Sequence, residues 1–259
     1  MNILITNDDG WGTQGILTLV RAMLPLGPVI VIAPDGPRSG AGVGITVNKP
    51  MYLTRIDGAE YGLSEAEIYT TNGTPADALK LAINAVYDGD ETKIDLLVSG
   101  INHGSNASTN VIYSGTMAAV VEACMDGIPA VGFSVEDYSH DANFEHIEKY
   151  ILDITRKVLK EGLPKGVCLN VNFPKYSEGN PIKGVKICRQ AKARWKEIFD
   201  KRKDPHGREY FWIGGDFIVE DDGTDTDIYA LKNNYASIVP TQYDWTAYDV
   251  MNELKKFEK

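Results

Sequence analysis

The sequence predicts an α/β protein with a three-layer, Rossmann-like, mainly parallel sheet, helices on both faces, and C-terminal β-hairpin or arm elements used in oligomerisation. Three observations predict it. Continuously apolar runs of strand length recur, helical periodicity fills the intervals between them, and this alternation stops near residue 175. With 259 residues, 43% of them hydrophobic, the chain has the material for a full α/β core.

Asn2 to Thr6 (NILIT) reads as the first buried strand. Ile16, Leu17, Leu19, Val20 and Met23 then give Gly12 to Leu24 an apolar helical face. Pro28 to Ala33 (PVIVIA) is the second strand. A glycine-rich loop and a hairpin around Lys49-Pro50 follow, and Thr74 to Tyr87 is helical, with Thr74 as N-cap and Pro75 at the first helical position. Asp95 to Ser99, a helix from about Gly115 to Met125, and Pro129 to Phe133 continue the pattern. A helix over Asn143 to Leu159 leads to Gly166 to Phe173, read as the last core strand. Beyond it, Lys183 to Gln190 and Glu209 to Val219 look like strands flanking a charged segment, Lys192 to Arg208. The expected division is a catalytic core over 1–175, with hairpins, a swapped arm and a terminal helix over 176–259 in the same globular unit.

The formal charge of −10 argues against a nucleic-acid polymer or an anionic membrane as partner, because both need clustered Lys and Arg. Met1 to Asn7 lacks the basic front and long apolar core of a signal peptide, and no later stretch is long enough to span a bilayer. Cys124, Cys168 and Cys188 are widely spaced with no Cys-x-x-Cys pair, which fits a reducing cytoplasm.

In an open parallel sheet the ligand sits beyond the carboxyl ends of the strands. The first strand delivers Asn7-Asp8-Asp9-Gly10 there, the second leads to Arg38-Ser39-Gly40, and the strand ending at Ser99 delivers Asn102-His103-Gly104-Ser105-Asn106. Adjacent carboxylates repel unless a cation compensates them. Asp8, Asp9, Ser39 and Asn102 together make the all-oxygen environment that Mg²⁺, Mn²⁺ or Ca²⁺ prefers; a helix-capping role for Asp8 or Asp9 is the structural alternative. Tyr113-Ser114-Gly115-Thr116 opens a helix, so its hydroxyls and free N–H groups suit a phosphate, or else form an ordinary cap. Asn72, in the turn Asn72-Gly73-Thr74-Pro75, either faces the substrate or only shapes the turn. His103 can meet a leaving oxygen or sit idle at the surface, and His140, His146 and His206 lack any such context. Lys192 to Arg208 reads as a solvated face whose Trp195 and Phe199 can pack on another chain.

Gly10-Trp11-Gly12-Thr13-Gln14-Gly15 also matches the dinucleotide fingerprint, which makes an NAD-dependent oxidoreductase the rival reading. Asp8 and Asp9 stand directly before the first glycine, where their charge would repel a pyrophosphate. A non-catalytic nucleotide-binding module is the third reading.

Taken in order, Asn7-Asp8-Asp9-Gly10, Ala33-Pro34 leading to Ser39-Gly40, Asn72-Gly73-Thr74-Pro75-x-Asp77, Ser99-Gly100-Ile101-Asn102 with Asn106, and Tyr113-Ser114-Gly115-Thr116 resemble the survival protein E (SurE) family of 5′-nucleotidases. The likeness covers residues 1 to about 135, with an echo at Asp225-Thr226-Asp227 and Tyr235 to Pro240. It implies phosphatase activity on nucleoside 5′- and 3′-monophosphates, sometimes polyphosphate, in homodimers or homotetramers with exchanged C-terminal elements. It further implies one divalent cation per subunit, Mg²⁺ or Mn²⁺ with Ca²⁺ as a crystal substitute, on Asp8, Asp9, Ser39 and Asn102. Gly40, Asn72, Asn106, Ser114, Gly115 and Thr116 would lie near the substrate phosphate, and His103 would protonate the departing ribose oxygen.

Overall fold

A computed structural model describes residues 1–139 and 142–258, so His140 lies outside the described residues. The apolar runs form the expected strands: β1 (Ile3–Thr6), β2 (Val29–Pro34), β5 (Leu96–His103), β6 (Ala130–Val135) and β7 (Val167–Phe173), with β3 (Leu53–Ile56) and β4 (Glu67–Thr71) between β2 and β5 in the chain. With β8 (Val185–Ile187) and β11 (Ala236–Gln242) they make one nine-stranded sheet in the order β3-β4-β2-β1-β5-β6-β7-β11-β8. From β4 across to β7 every pairing is parallel, while β3 on β4 and β11 on β7 are antiparallel.

β1 shows why the layers are three. Successive side chains on a strand point to opposite faces, and Ile3 and Ile5 enter one core while Leu4 enters the other. The first core is closed by α1 (Gln14–Met23) and α4 (Glu145–Glu161), whose Ile16, Val20, Ile147 and Ile151 are buried in it. The second is closed by α2 (Pro75–Leu81) and α3 (Gly115–Met125) through Leu79, Met117 and Val120. A fully buried aliphatic side chain contributes about 1.5–3 kcal/mol, so both faces of every central strand hold the sheet in place. In the parallel register Thr6 lies beside Ser99, which brings the chain leaving β1 next to the end of β5.

Several expectations are corrected. No hairpin forms around Lys49-Pro50; β3 starts at Leu53 and pairs with β4, and the Asn72 side chain holds the preceding segment by accepting from Tyr52 N (2.9 Å) and donating to Pro50 O (3.2 Å). α2 stops at Leu81 and continues only as a π turn, Ala82–Val86. Gly166 to Phe173 is not the last core strand, because β11 returns antiparallel on β7 and β8 extends the sheet. The charged segment Lys192 to Arg208 is mostly strand: β9 (Ala193–Lys203) pairs along its whole length with β10 (Glu209–Val219) in an exposed hairpin. Its turn is closed by Asp204, whose carboxylate accepts from His206 N (2.8 Å) and Arg208 N (2.9 Å). After α5 (Asp227–Lys232), the expected terminal helix shrinks to α6 (Met251–Leu254) between short turns.

Candidate active site

Asp8 leaves β1 into the interior with only 4% of its surface exposed. Its Oδ1 accepts a 2.5 Å hydrogen bond from the Thr116 hydroxyl, and its carbonyl accepts from Arg38 N at 2.7 Å. Burial pushes the Asp8 carboxyl up from its ordinary 3.8 to about 6; the Thr116 bond opposes that rise and the neighbouring Asp9 charge adds to it. Asp9 turns the other way, and its Oδ2 lies 3.2 Å from both the backbone nitrogen and Nδ1 of His103. The imidazole is braced from behind by Phe144, edge to face at 5.0 Å.

A cavity of about 620 Å³ opens at this corner, with Asp8, Ser39, Asn102, Asn106 and Ser114 among the residues lining it. Asn102, Ser114 and Asn106 are each fixed by their own hydrogen bonds. Asn102 donates its amide to Gly104 O (2.8 Å), which leaves its Oδ1 for the cavity. Ser114 caps α3 by accepting from Met117 N (3.0 Å), so the helix N-terminus faces the same space. The Asn102–Asn106 loop is fixed by a polar network under it. Asn106 N and Ser105 Oγ donate to Asn172 Oδ1 (2.8 and 3.3 Å), Asn170 donates to Asn106 O (2.9 Å), and Asn106 donates to Ser134 Oγ (2.9 Å).

Of the residues singled out in the sequence, Asp8, Ser39, Gly40, Asn102, His103, Asn106 and Ser114 all line this cavity, and Asp9 joins through His103. Three take other places. Gly115 lies under Asp8, where an added Cβ would stand 2.6 Å from Asp8 Cβ. Thr116 is fully buried and spends its hydroxyl on Asp8, so its part is to position that carboxylate. Asn72 has both side-chain groups engaged with residues 50–52 and stands outside the cavity lining, which favours its turn-shaping role. His146 packs on Tyr176 and His206 sits in the hairpin turn.

Sequence reasoning missed Asn170 and Asn172 beneath the loop and Asn110, Tyr138 and Trp195 on the cavity wall. The first two carry a signal, for they alternate on an otherwise apolar strand, a place where polar side chains need partners. Trp195 was read as a contact for another chain; here it also lines the cavity.

The glycines of the Gly10 to Gly15 fingerprint have uses of their own. Gly10 and Gly12 adopt φ of +94° and +84°, and the Cα of Gly15 packs so closely on the Ile101 carbonyl that no side chain fits. The loop is filled by its own atoms: Asn7 Nδ2 donates to Gly10 O and Thr13 Oγ1. It is the N-terminus of α3, not of α1, that faces the cavity.

The sequence model of the family described as survival protein SurE matches residues 3–197. The chain is 52% identical to the 5′-nucleotidase SurE of Christiangramia forsetii, over 98% of this chain and 96% of that one. To the 5′-nucleotidase SurE of Flavobacterium psychrophilum it is 50% identical, over 99% and 97%. A crystal structure of the Sure protein from Aquifex aeolicus superposes with a TM-score of 0.83 at 36% identity, covering 100% of both chains. Identity near one half, sustained from end to end on a fold matched over its full length, means that this chain belongs to the SurE family.

Proposed function

We propose that this chain is a phosphomonoesterase that converts nucleoside 5′-monophosphates to nucleoside and phosphate at the Asp8 end of the cavity. The observation that carries the reading is Asp8: a buried carboxyl lifted to about 6, placed beside a second carboxylate and open to a cavity. Such an arrangement is costly for a merely structural residue and suited to a cation. The donors fit a hard divalent ion, since Asp8, Asp9, Ser39 and Asn102 offer oxygen alone. We assign those four residues to one Mg²⁺ or Mn²⁺ per subunit. When bound, such an ion supplies Lewis acidity toward a phosphoryl oxygen and the charge that makes a nearby water more acidic.

The chain's own groups do the rest. Free N–H groups at the start of α3, around Ser114 and Gly115, together with Asn106 and the Gly40 backbone, receive the phosphate. Asp9 occupies Nδ1 of His103, so Nε2 is the nitrogen available to give a proton to the departing ribose oxygen. The relatives named 5′-nucleotidase support the substrate class. Activity on 3′-monophosphates and on polyphosphate, a homo-oligomeric assembly and a cytoplasmic setting complete the proposal; among the described residues no helix is long and apolar enough to cross a membrane.

The test is phosphate release from AMP and GMP with Mg²⁺ or Mn²⁺, with EDTA, and in Asp8→Asn. Loss of turnover in both perturbations is expected. Turnover indifferent to chelation and substitution would exclude the site; metal-dependent nucleotide binding without turnover would make the chain a binding module, and NADH binding without metal would favour the oxidoreductase.

A further inference from the structure

Part of the cavity lining is not used by the chemistry above. Alongside Glu197 it includes Tyr138, Trp195 and Ile213, large apolar side chains that are 71%, 38% and 67% exposed. Exposed side chains of this size are ordinarily mobile, yet two of these rings are fixed. Trp195 donates its indole N–H to Asn110 Oδ1 at 2.9 Å and leans on Phe217 across the hairpin at 5.2 Å. Tyr138 packs so tightly on Gly104 that a Cβ there would overlap its ring.

One anchor, Gly104, belongs to the loop that carries Asn102 and Asn106, and the other, Asn110, lies in the helical turn just after it (Ser108–Tyr113). Asn110 donates to Ser105 O at 3.2 Å, and Gly104 follows His103 directly. The two aromatic faces are therefore held in a fixed relation to the oxygen-lined part of the cavity, although one of them comes from a hairpin far along the chain. Gly215 adds to this. It lies between Ile213 and Phe217 on the strand facing Trp195, and with no side chain it leaves a gap in the apolar wall.

A pinned aromatic wall in the same cavity as an anion site suits a ligand with a charged end and a flat, apolar end. We infer that Tyr138 and Trp195 form the subsite that stacks the nucleobase of the substrate, an inference that rests on the phosphomonoesterase reading and says where the other end of the substrate goes. Stacking of this kind tolerates any base, because every base has a π face.

The test compares AMP and GMP with ribose 5-phosphate, which lacks the base, on the full chain with Mn²⁺. Trp195→Ala is expected to raise KM for both nucleotides about tenfold with kcat within about twofold, and to leave kcat/KM for ribose 5-phosphate unchanged. Trp195→Phe keeps a stacking ring and restores most of the loss. Adenosine, which has no phosphate, should quench tryptophan fluorescence of the native chain, and the quench should vanish in Trp195→Phe, which removes the reporter. Equal losses on all three esters, or a changed molar mass in light scattering, would make Trp195 an assembly residue and overturn the inference, as would unchanged KM values. If the native chain hydrolyses none of the esters while adenosine still quenches Trp195, the subsite stands and the phosphatase reading falls.

Discussion

Replacing Gly115 by Ala tests the placement of Asp8 with a single methyl group. The new Cβ would lie 2.6 Å from Asp8 Cβ and 2.9 Å from its Oδ2, whereas ordinary contact begins at 3.4 Å. Asp8 or the start of α3 must then give way by about 0.8 Å. Overpacking of that size costs about 1–3 kcal/mol, partly offset by up to about 1 kcal/mol from replacing glycine in a helix. The net change in stability is therefore small, roughly 0–2 kcal/mol, or a few degrees in Tm for a chain of this length. The effect on turnover is not small. A misplacement approaching 1 Å at a reacting centre lowers the rate about 100-fold, so Gly115→Ala should lose one to two orders of magnitude in kcat/KM for AMP with Mn²⁺ while remaining folded. Gly36→Ala is the control, because an added Cβ there meets nothing within 4 Å and the backbone is not left-handed. A Gly115→Ala enzyme within about threefold of the native kcat/KM would show that Asp8 need not occupy this position, and the assignment of the site would fail with it.

Thr116→Val removes the hydroxyl that donates to Asp8, a charge-assisted bond worth about 1.5–3 kcal/mol, so Mn²⁺ binding by calorimetry at neutral pH should weaken about tenfold and Thr116→Ser should recover it. Asn172→Ala deletes three hydrogen bonds, to Asn106, Ser105 and Asn170, and at about 1 kcal/mol each should cost about 3 kcal/mol in urea unfolding, with activity falling because the Asn102–Asn106 loop loses its support. In metal-free protein the Asp8 carboxyl titrates near 6 when folded and near 3.8 when unfolded. The folded state therefore binds the extra proton between those values, and stability falls as pH rises through that window, by roughly 1 kcal/mol between about pH 5 and 7. Unfolding in EDTA across that range should show the slope, and Asp8→Asn should flatten it.

Much of this was legible because strand ends in a parallel sheet have one place to go. Four buried residues before Asn7, and three before Ser99, are enough to say that Asp8 and Asn102 emerge at the same edge, and the register of β1 on β5 puts them there. The start of α2 was legible for a local reason: Thr74 accepts from Asp77 N and Asp77 accepts from Thr74 N, a reciprocal cap written within four residues. What could not be read depends on pairings remote in sequence. The bond from Thr116 to Asp8 spans 108 residues, and nothing near Thr116 distinguishes its hydroxyl from an ordinary helix-start threonine. Of the β9–β10 hairpin only β9 was hidden by composition, since its many charges suggested a solvated face, although Asp204-Pro205-His206-Gly207 is a recognisable turn between it and the expected strand Glu209 to Val219. β11 was missed because an antiparallel return beside β7 leaves no mark on β7 itself.

The charge of −10 makes anion binding a local problem, and the residues around the cavity show how narrow the solution is. Among the described residues its lining includes neither Lys nor Arg. Arg38, on the neighbouring loop, is committed to Asp35 at 2.8 Å and to the carbonyls of Asn72 and Gly73. On the proposed reading, the positive potential that receives a phosphate comes from the N-terminus of α3, from His103 and from an ion on the paired aspartates. A helix terminus acts as about half a charge and His103 at most one, against the two or so negative charges of a phosphomonoester plus those of Asp8 and Asp9. Without a divalent ion the Asp8 corner of the cavity carries the wrong sign for a phosphate. On the proposed reading, the same two carboxylates that would repel the anion are what make its binding conditional on the cation.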